Sequence, residues 1–211
     1  DISNCIDNIK SNLNIANTRQ ENTSFDYVAD FRNYYNTNIE KLKTNHDWST
    51  GREEFLAEYP IDRINQLRLE EYALGTEEYR ESFCYKLEFG KYKSLGIGIG
   101  GGTAAKHGIY RKKDTGKYYG LNNKEIENPN EYWLQFRTQL YDFLIEISDT
   151  ESMFNAKEKY PYLQGTSMIL TKLASIYYPE KFLNICSKEK LLVIASYLSI
   201  PINKSDSPEK I

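Results

Sequence analysis

The chain has 211 residues, a formal net charge of −3, 40% hydrophobic residues and 18 tyrosines, enough apolar area to fill a core. No apolar run approaches membrane-spanning length and no secretory leader is read at its start. Cys5, Cys84 and Cys186 are widely separated and include no CxxC pair, and neither His46 nor His107 has a ligand-spaced partner. That pattern argues against a disulfide framework or a zinc site and fits a reducing cytoplasm. The chain begins at Asp1 without a methionine, which predicts a piece of a longer protein.

The first expected helix carries Ile2, Ile6, Ile9, Leu13 and Ile15, with Ser3 as its cap. A second, capped by Ser24, places Phe25, Val28, Phe31, Tyr35, Ile39 and Leu42 on one face. Thr50 is a plausible cap for a short helix reaching Tyr59 before Pro60, and one or two helical turns follow from Ile61 to Leu74, ending at Gly75.

From Phe83 the period changes. Phe83, Tyr85, Leu87 and Phe89 alternate with polar partners, and Leu95, Ile97 and Ile99 alternate with glycines. Segments 107–111 and 117–121, joined by the turn Lys113-Asp114-Thr115-Gly116, complete the expectation of a three- to four-stranded antiparallel sheet over residues 82–121. After Asn128-Pro129-Asn130 the pattern is helical again: Tyr132 to Ile147, a short helix from Met153 to Tyr160, Ser167 to Tyr178, and a last helix capped by Ser187 and closed by Pro201. The fold class expected is α+β. The expected domains are a helical part at 1–58, the α+β part at 59–202 and a polar, disordered tail at 203–211.

Charge is concentrated in the sheet segment. Between Lys86 and Lys124 nine Lys and Arg face only Glu88 and Asp114, a net of +7 in a chain of −3. A local basic footprint in an acidic protein points to a polyanion; a lysine-rich hairpin guarding a sheet edge is the plainer alternative. The candidates for contacts to double-stranded DNA are Lys91, Lys93, Lys106, His107, Arg111, Lys112, Lys113 and Lys117. Tyr110 and Tyr119 are the candidates to stack on an extruded base, with a structural role as the alternative for each.

Other chemistry is poorly supported. The run from Gly96 to Lys106 lacks the Gly-Lys-Ser/Thr order of a phosphate loop and is followed by a strand pattern. Asp62, Glu88 and Lys91 approach a nuclease motif, but the Glu-to-Lys gap is one residue too long. Ser82 and Cys84 have no evident base. The expectation is therefore a non-catalytic module without cofactor or metal.

Several phrases together resemble a known module: Glu71-Tyr-Ala-Leu-Gly75, Ser82-Phe-Cys-Tyr-Lys-Leu-Glu88, Lys106-His-Gly-Ile-Tyr110, Tyr177-Tyr-Pro-Glu-Lys-Phe-Leu183 and Ser187-Lys-Glu. Their order resembles the N-terminal regions of McrB-like AAA+ GTPase subunits of modification-dependent restriction systems, over roughly residues 60–200. The resemblance implies a specificity module that binds DNA, often at modified cytosine, in a protein carrying an AAA+ motor and working with a separate nuclease subunit. It carries over no site residue. The alternative is a protein-interaction module whose aromatic, acidic helices dock a partner subunit.

Overall fold

The computed structural model describes residues 33, 37, 48–95, 103–147 and 159–197. Apart from residues 33 and 37, the two helices expected before residue 43 lie outside the described residues, as do the second strand beyond Leu95, the short helix from Met153 as far as Glu158, and the tail. Contacts divide the chain into a unit at Asp1–Asp47 and a unit at Trp48–Ile211. In the first, the Thr37 hydroxyl donates to the Asn33 carbonyl at 2.7 Å, a local helical bond. The second unit, Trp48–Ile211, holds the other described elements.

That unit is mainly helical. In chain order it holds α1 (Trp48–Glu58), α2 (Ile61–Ile64), α3 (Leu69–Tyr72), α4 (Phe83–Glu88), α5 (Pro129–Glu146), α6 (Ser167–Tyr177) and α7 (Lys188–Tyr197). Short 3-10 turns lie between them, among them Tyr79–Glu81 and Ala104–His107. The sheet is smaller than expected. Among the described residues it is the two-stranded antiparallel ribbon of β1 (Tyr110–Arg111) and β2 (Tyr118–Tyr119), pairing Tyr110 with Tyr119 and Arg111 with Tyr118. The expected turn is present, with the Gly116 N–H donating to the Lys112 carbonyl at 2.9 Å.

The expected strand at Phe83–Phe89 is instead α4. Ser82 explains the difference: its hydroxyl accepts the Tyr85 N–H at 3.3 Å and so caps the helix. Four alternating apolar residues fit either period over so short a run. Both readings bury Phe83 and Leu87, but a helix sends Tyr85 and Phe89, four residues apart, outward together. Phe89 is 55% exposed.

The core is aromatic. Phe55 of α1 meets Tyr59, Phe83, Tyr92 and Tyr177 at ring-centroid distances of 5.2–5.9 Å. Tyr72 stacks on Phe83 at 5.5 Å and packs on Trp133 of α5 at 4.5 Å. Buried polar tips find backbone acceptors: Tyr72 donates to the His107 carbonyl at 2.8 Å, Trp133 Nε1 to the Leu67 carbonyl at 3.0 Å, and Tyr177 to the Tyr59 carbonyl at 2.6 Å. Arg52 of α1 donates to the Ile176 and Tyr177 carbonyls at 2.6 and 3.2 Å. It thus satisfies the open C-terminal end of α6 with a cation, as the helix dipole favours.

Two glycines let the ribbon sit close to this core. Gly75 has φ +83°, and a Cβ there would lie 1.8 Å from the Arg111 carbonyl oxygen. The adjacent Leu74 carbonyl accepts the Arg111 N–H at 2.8 Å. Gly108 has φ +88°, and a Cβ would lie 2.1 Å from the Phe136 ring.

Candidate nucleic-acid interface

The basic residues of the expected interface fall into three structural groups. The first is inside the protein. His107 is 0% exposed, and its Nε2 lies 2.8 Å from Glu88 Oε2, while Lys106 is ion-paired with Glu88 Oε1. Lys172 of α6 is also buried and donates to the Leu87 carbonyl at 2.7 Å. Burial pushes the His107 imidazole below its ordinary value, against the pull of Glu88. Burial would raise Glu88, but hydrogen bonds from His107 and Lys106 outweigh it and hold the carboxylate low. Burial also brings the Lys172 ammonium down to about 8. His107 and Lys106 therefore stabilise the fold around Glu88, and His107 presents no surface to a partner.

The second group is exposed but already paired. Lys91 Nζ lies 3.1 Å from Glu54 and 3.6 Å from Glu58, both on α1. Lys117 Nζ lies 2.7 Å from Glu125. Lys86, counted in the basic segment, is held by Glu58 and Glu81 at 2.9 and 3.2 Å. Burial would raise Glu58, yet hydrogen bonds from Tyr92 and Lys86 hold it down at about 2. Four of the nine positive charges are thus neutralised by carboxylates, three of these pairings drawing on acids from outside the segment.

The third group has no carboxylate partner among the described residues: Lys93, Arg111, Lys112, Lys113 and Lys124. Arg111 Nε donates to the Gly116 carbonyl at 3.0 Å and braces the turn. Lys112 Nζ lies 3.8 Å from the Tyr119 ring centroid, and Lys113 Nζ lies 3.7 Å from that of Tyr79. Arg80 reaches the same Tyr79 ring at 5.9 Å and donates to its hydroxyl at 3.4 Å. The guanidinium, then the Lys113 ammonium, hold the Tyr79 hydroxyl below the usual tyrosine range. Cation–π contacts of this kind hold lysines over a ring without neutralising them.

The two candidate stacking tyrosines are placed differently. Tyr110 is buried, with its hydroxyl donating to Asn123 Oδ1 at 2.7 Å. Its position leaves no open ring face for a base. Tyr119 is half-buried between Tyr110, at 6.0 Å, and the Lys112 ammonium. Beside them lie rings that the sequence assigned to a strand or left aside: Tyr79 and Tyr85 are half-buried and Phe89 is 55% exposed. Tyr79 meets Tyr85 edge-on at 5.4 Å, and Tyr85 meets Phe89 at 5.5 Å. The signal that could have found them is Ser82, whose capping of α4 brings Tyr85 and Phe89 onto one face.

No protein-family model, curated protein or solved structure matches this chain. Among the described residues, no helix is long and apolar enough to cross a membrane, and no cluster of three or more His, Cys, Asp or Glu could hold a metal ion.

Proposed function

We propose that the chain is a non-catalytic DNA-binding specificity module that takes double-stranded DNA by its phosphates. The observation that carries this reading is the pair Lys112 and Lys113, two adjacent cations at a ribbon turn that rest on rings and meet no carboxylate among the described residues. Such cations remain available to phosphate oxygens, and releasing the counterions those phosphates had condensed favours binding. The resemblance to McrB-like subunits supplies the rest of the proposal: a cytoplasmic restriction protein of anti-phage defence, with an AAA+ motor in the same chain, a separate nuclease subunit, and modified cytosine as the feature read.

Fluorescence anisotropy with labelled duplexes, unmodified and cytosine-modified, at low and moderate salt tests the proposal. Binding that weakens steeply with salt supports phosphate contact, and a preference between duplexes supports reading of the modification. No binding at low salt overturns the proposal.

A second reading, a docking module for a partner subunit, is favoured by one face of α5. Leu134 and Ile145 are 48% and 47% exposed and eleven residues apart. That spacing is three helical turns, so both side chains lie on the same face. Salt-tolerant association without any DNA shift is the outcome that would favour it.

A further inference from the structure

We propose that the track formed by Tyr119, Lys112, Lys113, Tyr79, Tyr85 and Phe89 binds single-stranded nucleic acid. The inference rests on the DNA-binding reading above and goes beyond it: the cations proposed to take duplex phosphates also serve, together with the adjoining rings, a single strand.

The track is continuous in contacts. Lys112 sits on Tyr119, its chain neighbour Lys113 sits on Tyr79, Tyr79 meets Tyr85, and Tyr85 meets Phe89. Arg80 adds a third cation against Tyr79, and the neighbouring Glu81 is held by Lys86. Phe89 is not needed by the core, because α4 already buries Phe83 and Leu87 on its opposite side while Phe89 stays 55% exposed. An exposed phenylalanine extending a row of tyrosines beside unneutralised cations offers what a single strand requires: ring faces for bases and charge for the backbone. Duplex DNA would use only the charges, since its bases are stacked on one another and present their edges.

The test is anisotropy of the 211-residue chain with three labelled probes: an oligothymidylate of about 12 nucleotides, within the span of a single-strand site, an abasic oligonucleotide of equal length, and a duplex. The oligothymidylate should bind about tenfold more tightly than the abasic strand, the scale of one base–aromatic stack. Phe89→Ala should remove that advantage and leave abasic and duplex binding unchanged, whereas Phe89→Tyr should keep it. Equal binding of thymidylate and abasic strands, with Phe89→Ala without effect, overturns the track; salt-sensitive duplex binding in the same experiment leaves the phosphate reading standing. Absence of binding to all three probes at low salt overturns both.

Discussion

Glu88 Oε2 and His107 Nε2 lie 2.8 Å apart in the interior, joining the end of α4 to the turn that leads into the ribbon. The same carboxylate takes the Lys106 ammonium on its other oxygen. With the carboxylate ionised, the imidazole donates from Nε2, and its buried Nδ1 has no hydrogen-bond partner among the described residues. Glu88 thus joins a buried imidazole and a lysine ammonium through one carboxylate.

Glu88→Gln should destabilise the protein by about 3 kcal/mol at neutral pH, because it breaks the buried Glu88–Lys106 ion pair and the charge-assisted bond to His107. The pH dependence has a definite sign. The folded Glu88 value is lowered from 4.5 and the folded His107 value from 6.5. Both contributions are therefore present above the unfolded values and are lost on acidification, starting below pH 6.5 for His107 and below pH 4.5 for Glu88. Urea unfolding should show the gap between wild type and Glu88→Gln closing below pH 4.5, where Glu88 itself takes up a proton.

Lys172 should act at the alkaline end. Its value falls from 10.5 to about 8 on folding, so the unfolded chain binds more protons between those limits and folding gains stability as pH rises through them. Relative to Lys172→Met, wild type should gain about 3 kcal/mol across the interval, at about 1.4 kcal/mol per unit. A pH-independent difference between the two proteins in denaturant titrations would refute a buried ammonium at this position.

Gly108→Ala should cost about 2–5 kcal/mol. A positive φ costs a non-glycine residue about 1–2 kcal/mol, and the added methyl meets the buried Phe136 ring at 2.1 Å, an overpacking cost of about 1–3 kcal/mol. Thermal unfolding compared with Gly116→Ala, also at positive φ but 3.2 Å from the terminal nitrogen of Arg111, isolates the packing part. Gly108→Ala should be the more damaging of the two.

For the proposed DNA contact, Lys112→Ala with Lys113→Ala should weaken duplex binding and reduce the slope of log affinity against log salt by about 2. Adding Arg111→Ala should lower binding further but also loosen the turn, because Arg111 Nε holds the Gly116 carbonyl. Anisotropy at several salt concentrations separates these effects. An unchanged slope in the double variant would remove the ribbon turn as a phosphate site.

Sequence alone determined most helices of the described unit, because Pro60, Gly75, Asn128 and Ser187 mark their ends and apolar spacing marks their buried faces. It determined the hairpin turn at Lys113–Gly116 for the same local reason. It also placed the positive charge in one segment. Tertiary structure decided how much of that charge is available, since Glu54, Glu58 and Glu125 come from outside the segment to pair with Lys91, Lys86 and Lys117. Tertiary structure likewise buried His107 and Tyr110 while leaving Tyr85 half-buried and Phe89 exposed to solvent. The reason is physical: local hydrogen bonding and periodicity act within a few residues, whereas the pairing of Lys86 and Lys91 with α1 and the burial of His107 depend on segments that only the fold brings together.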